Sequence, residues 1–178
     1  METIKVSDEW HGMLFDIRRS IRYHNRRRAF FDRLEQTSNM AALVFGSATI
    51  GGILGQTPYK IIALGAAALV IILSSVNLVA GSTRRARDHA DFARRFIDLE
   101  KKMVLSDPSN QCLRNITTER LAIEAEEPPV LQVLNVLCHN EQMRAMGYPP
   151  EQMAKVGFLQ RTFAQLFDWQ EERLSNTD

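Results

Sequence analysis

The sequence predicts an all-α membrane protein: a two-pass transmembrane helical hairpin whose long helices extend into a cytoplasmic helical bundle. Three observations carry this. Between Gln36 and Thr83 there is one formal charge, Lys60, which separates two apolar segments, Met40–Gly55 and Ile61–Gly81. With their uncharged flanks, both reach the roughly 20 residues that cross about 30 Å of hydrocarbon. Arginines crowd the outer flanks of this stretch but not its connecting loop. Elsewhere apolar residues recur at three- and four-residue steps, and no run alternates as a strand does. The chain accordingly divides into a basic amphipathic cytoplasmic helix over 1–36, the two-span hairpin over 37–83, and a cytoplasmic helical region over 84–178.

Bulk properties narrow the class further. A net charge of +1 over 178 residues lacks the basic footprint of a nucleic-acid binder, so no nucleic acid is expected as partner. The 45% hydrophobic content and mean hydropathy of -0.21 average a very apolar hairpin with polar flanks. Cys112 and Cys138 are too few for a disulfide framework and fit a reduced compartment. Asp8 and Glu9 precede Trp10 without an apolar run. No signal peptide is therefore expected, and the first span would serve as its own insertion signal.

The first helix is expected from Asp8 to about Gln36, with Trp10, Met13, Leu14, Ile17, Ile21, His24, Phe31 and Leu34 on one face. Its other faces carry arginines, of which Arg26, Arg27 and Arg28 stand nearest the first span. Arg84, Arg85 and Arg87 follow the second span. Excess cationic residues mark the cytoplasmic side, so both termini are placed there, and these six arginines are read as membrane anchors against anionic headgroups. Pro58 ends the first span in a tight turn. Ser47, Gly51 and Gly55 recur every four residues and suit close helix packing, within one chain or between chains. In the second span Ser74, Asn77 and Gly81 share a face. An amide at that depth belongs against protein or water, either as an interhelical hydrogen bond or as part of a pore-lining or gating stripe.

The second span is expected to run on without a break to Leu105, where the first helix can pack antiparallel against it. A loop over 106–111, a short helix near Thr117, a helix from Val130 to Met146, and a last helix beginning near Pro150 and carrying Met153, Val156, Phe163 and Trp169 complete the chain. His11, His24, His89 and His139 show no metal-ligand spacing, and nothing marks a nucleophile. The protein is therefore not expected to be an enzyme, and no metal or cofactor is expected. Leu137–Met143 places His139, Asn140 and Glu141 on an otherwise apolar helix. We read them, with His24, as a cytoplasmic polar network tying this helix to the basic one, with a ligand contact as the alternative.

The segment Arg22-Tyr-His-Asn-Arg-Arg-Arg-Ala-Phe-Phe-Asp32, the hairpin after it, and Cys138-His-Asn-Glu141 in the helical tail resemble the SLATT family, bacterial SMODS- and SLOG-associating two-transmembrane effectors. The resemblance implies an oligomeric effector of the bacterial inner membrane that forms a pore or disrupts that membrane in antiviral defence. It also implies a separate sensor or signalling protein as trigger. A two-span chain cannot wall a pore alone, so a homo-oligomer embedded in the lipid bilayer is expected. The alternatives are a membrane-anchored scaffold or adaptor without pore activity, and a protein that buries both apolar helices in its own core.

Overall fold

A computed structural model describes residues 2–54 and 60–168. All regular structure among the described residues is helical: α1 (Glu2–Leu54), α2 (Lys60–Ala80), α3 (Ser82–Leu105), α4 (Asn110–Glu124), α5 (Gln132–Ala145), a 3-10 turn over Pro150–Gln152, and α6 (Phe158–Phe163). Two compact units result: one comprises residues 1–27 and 89–178, the other 28–88.

The larger unit is a bundle around α1 and α3. In α1, Trp10, Leu14, Ile17, Ile21 and His24 step by four and three residues; in α3, His89, Ala93, Phe96, Leu99 and Met103 do nearly the same. That spacing makes a narrow seam of the coiled-coil kind. The helices run antiparallel, since Arg18 pairs with Glu100 at 2.7 Å while His24 meets His89. Ile17, Phe96, Leu99 and Met103 are buried together with Ile116 and Ile123 of α4. Full burial of a side chain such as Phe96 contributes about 1.5–3 kcal/mol. Helix α4 lies antiparallel to α3, as the Arg95–Glu126 and Lys102–Glu119 ion pairs show.

Helix α5 closes a second core in which Val133, Leu134 and Cys138 bury against Tyr23 and Ala164. Its start is capped from far along the chain: the Asp168 carboxylate accepts from the Gln132 and Val133 amides, both at 2.9 Å. A carboxylate there satisfies otherwise orphaned donors and opposes the positive end of the helix dipole. Gly147, with φ of 81°, supplies the left-handed residue that ends α5.

Two expected elements differ. Helix α4 begins at Asn110, seven residues before Thr117, because Ser109 Oγ accepts the Cys112 amide as its cap; the Thr117 hydroxyl instead donates to the Leu113 carbonyl inside the helix. The expected last helix is reduced to the 3-10 turn and α6. Asn140 holds Ala154 by two hydrogen bonds, at 2.7 and 3.0 Å, and Gly157 is extended and bound by the Gln160 side chain, so apolar periodicity there is spent on an irregular strap.

In the smaller unit the buried and half-buried positions form one stripe per helix. On α1 these include Phe31, Leu34, Ser38, Ala41 and Ala42; on α2, Ala63, Ala66, Ala67, Val70, Leu73 and Asn77. The outer surfaces are apolar and open: Leu43 is 73% exposed, Ile61 85% and Leu78 83%. Among the described residues one helical stretch, Ile61–Leu105, is long and apolar enough to cross a membrane; its most apolar window has a mean hydropathy of 2.4 and is only 6% buried. Helix α1 runs through Gln36 and Met40 without interruption. The second expected break-free helix does change conformation once, at Gly81, whose φ of 58° is left-handed. Glycine alone adopts that state without steric cost. The backbone ladder nevertheless spans it, with the Gly81 amide on the Asn77 carbonyl and the Arg85 amide on the Gly81 carbonyl.

Candidate functional site

The bundle contains a buried imidazole pair. Helix α1 presents His24 and α3 presents His89 from facing seams, and their Nδ1 atoms lie 2.9 Å apart. His24 is 1% exposed and His89 4%. The other ring nitrogen of His24 meets Glu127 Oε1 at 3.1 Å, just past the end of α4. Phe96 stacks on the His24 ring at 5.7 Å, Phe92 lies tilted at 5.2 Å, and Tyr23 meets it edge-on. A cavity of about 360 Å³ adjoins His24 and Glu127 and is lined also by Arg19, Tyr23, Glu124 and Asn135. Burial pushes the Tyr23 hydroxyl above its ordinary range even though it accepts the Leu131 amide at 3.0 Å. Glu127 approaches His24 from the side opposite His89, so these three groups do not converge on one point, and no cluster of metal-ligand type occurs among the described residues.

The residues expected to form one polar network fall into separate contacts. Glu141 pairs with Arg26, and its neighbour Gln142, 1% exposed, accepts from Arg22 Nε at 2.8 Å. These contacts tie α5 to α1. His139 meets the Phe15 ring edge-on at 4.9 Å; burial, then Arg19, hold it below the ordinary histidine range, partly offset by Asp16. Asn140 clamps Ala154. His24 joins none of them and takes His89 and Glu127 instead. His24 is expected in a polar network, but its partners here, His89 and Glu127, are not singled out by sequence pattern. The signal was present only as His89 falling on the α3 apolar stripe, where a polar ring requires a partner.

The second locus is the polar interruption of α2. The three residues of the expected stripe have different surroundings: Ser74 is exposed, Asn77 half-buried, and Gly81 is the conformational break. The Asn77 carboxamide oxygen is buried with no hydrogen-bond partner among the described residues, and so is the hydroxyl of Ser82, which is 2% exposed. Arg85 lies over the Phe31 ring at 5.7 Å. Ser38 on α1 is also buried, at 6%. On α1, Ser47 is exposed and its hydroxyl donates to the Leu43 carbonyl at 2.7 Å. The surroundings of Gly51, and Gly55 altogether, lie outside the described residues.

The six arginines also divide. Arg26 engages Glu141 and Arg27 donates to the Gln165 carbonyl at 2.6 Å, both inside the bundle. Arg28, Arg84, Arg85 and Arg87 are exposed, and the pairs Arg28–Asp32 and Arg84–Asp88 are long, at 3.5 and 4.0 Å. Comparison with protein-family models, with curated proteins and with solved structures finds no match to this chain.

Proposed function

We propose that the chain is a two-pass protein of the bacterial inner membrane, with both termini cytoplasmic, that assembles with copies of itself and permeabilises the bilayer. The observation that carries the reading is the apolar surface of α2, only 6% buried over its most apolar window. A core helix hides such a surface; a helix in lipid displays it. Met40, Leu43 and Val44 extend the exposed apolar surface to α1, which supports a second crossing within the same hairpin. Arg28, Arg84, Arg85 and Arg87 are exposed and suit a cytoplasmic headgroup layer.

A pore role draws its support from Asn77. A buried carboxamide oxygen without a partner costs about 1–3 kcal/mol, more in hydrocarbon surroundings. Such a group is retained where an alternative arrangement of the helices satisfies it, through water in a lumen or a donor on another copy. The resemblance to SLATT effectors points the same way and adds an antiviral setting with a separate sensor as trigger. Expression of the protein in bacteria, followed with a membrane-potential dye, tests the reading. Loss of potential that Asn77→Leu reduces at equal membrane abundance is the expected result. A stable potential, with a co-purifying cytoplasmic protein, would instead make the chain a scaffold or adaptor.

A further inference from the structure

Helix α6 and the turn after it are amphipathic in an inverted sense. Gln160 and Ala164, one helical turn apart, are the buried positions. Ala164 joins the second core, and Gln160 accepts the Gly157 amide at 2.9 Å. The outward positions carry the large apolar groups: Phe158 is 82% exposed, and Leu159, Leu166 and Phe167 are exposed with it. Phe167 stacks on Phe163 with ring centroids 5.5 Å apart. The Leu166 and Phe167 amides both reach the Phe163 carbonyl, so the helical turn continues past α6. Leu159, Phe163, Leu166 and Phe167 then share one face, at steps of four, three and one residues. Apolar side chains grouped in this way on a surface mark a contact face.

Charge and place identify the occupant. From Gln152 to Phe167 the chain has two cations, Lys155 and Arg161, both exposed, and no acid. Exposed Phe and Leu beside Lys and Arg suit an anionic headgroup layer over acyl chains. The face also belongs to the end of the bundle from which the chain departs for the apolar hairpin. Both departures leave from this end. His24, three residues before the one at Arg27, meets His89, the first residue after the other at Asp88. Arg27 itself donates to the Gln165 carbonyl at 2.6 Å, and Tyr23 is buried with Ala164.

We propose that the face made by Phe158, Leu159, Leu166 and Phe167, flanked by Lys155 and Arg161, docks on the surface of the anionic membrane that holds the hairpin. The apolar groups enter the boundary between headgroups and acyl chains, and the two cations meet lipid phosphates. This contact rests on the membrane placement of the hairpin, and adds to it a peripheral hold on the same bilayer by the cytoplasmic bundle.

Fluorescence quenching in reconstituted vesicles tests the docking. Full-length protein with Cys112→Ser receives one new thiol for a fluorophore: Thr162→Cys on the docking face, Thr118→Cys on α4, or Ile71→Cys on α2, all at exposed positions. Cys138 is buried and stays unlabelled. The vesicles contain phosphatidylglycerol and a lipid with a nitroxide on its acyl chain. Quenching at 162 is expected to exceed that at 118 by about threefold or more, as for groups held in the headgroup boundary. Phe158→Ser with Leu159→Ser is expected to bring it down to the level at 118, and Lys155→Gln with Arg161→Gln to lower it. These four side chains are exposed, so the fold does not depend on them. Quenching at 162 no higher than at 118, or unchanged in both double variants, overturns the docking. Strong quenching at 71 in that case leaves the hairpin in the membrane and removes the docking face alone. Quenching at 162 without quenching at 71 keeps the surface contact and overturns the spanning. Cross-linking of 162 to 162 without lipid quenching assigns the face to a second copy. Shielding of 162 from aqueous iodide without lipid quenching or cross-linking assigns it to the chain's own residues 169–178. Either of these last two results also overturns the docking.

Discussion

At the scale of single residues, the two thiols of this chain have opposite fates. Cys138 is fully buried, and burial, with Glu141 adding to it, pushes its thiol up to about 12 against the lowering influence of Arg26. Cys112 is only half-buried. A thiolate-directed alkylating reagent at pH 8 is therefore expected to label Cys112 and spare Cys138, as intact-mass and peptide spectra would register; equal labelling would contradict the second core. The same burial has a pH consequence. The folded value of Cys138 lies above an ordinary value near 9. Its contribution to stability is full below about 9 and is lost as pH rises toward 12. His139 acts at the other end of the scale. Its folded value is depressed, so its contribution is present above the ordinary histidine range and is lost as pH falls through the folded value. Thermal unfolding midpoints across pH are expected to fall at both extremes, and His139→Gln is expected to blunt the acid arm alone.

At the scale of elements, periodicity made α1, α3 and α5 legible, because each has one face that must leave water and a side-chain spacing that shows it. The strap after α5 was not legible. Met153, Val156 and Phe163 carry helix-like apolar spacing, but Asn140, fourteen residues upstream, fixes Ala154 in another conformation. Tertiary hydrogen bonds outvote a local pattern of that length. The start of α5 was obscure for the same reason. Leu131 offers no capping side chain, and the cap comes from Asp168, 36 residues past Gln132. Asp168→Ala is expected to lower stability by about 0.5–2 kcal/mol, measured by denaturant titration in a fixed detergent, while Asp168→Asn is expected to retain part of it. No change in the alanine variant would mean that the cap contributes nothing beyond solvent.

At the scale of the whole molecule, what was legible was the separation of apolar and cationic segments; what was not legible was which arginines are exposed and which are held inside the bundle. Charge counting treats Arg26 and Arg28 alike, yet Arg26 is spent on Glu141 inside the bundle while Arg28 is exposed. Only a partner more than a hundred residues away distinguishes them. Replacement of Arg28, Arg84, Arg85 and Arg87 by glutamine is accordingly expected to weaken association with vesicles rich in anionic lipid without lowering the unfolding midpoint. Arg26→Gln is expected to do the reverse. Co-flotation on sucrose and thermal unfolding read the two effects apart.

The partners of α1 also set an order of events in time. Arg18, Arg22, Arg26 and Arg27 find Glu100, Gln142, Glu141 and Gln165, all synthesised long after them. Helix α1 thus completes its polar contacts only after α5 and the segment following it exist. Its seam waits for α3 and α4, and Arg22, Arg26 and Arg27 wait longer, for residues 141–165, since non-local contacts cannot form before both ends exist. A nascent chain stalled before α3 carries an apolar seam that α3 and α4 later cover. Such an intermediate exposes apolar surface of the kind that holding chaperones cover.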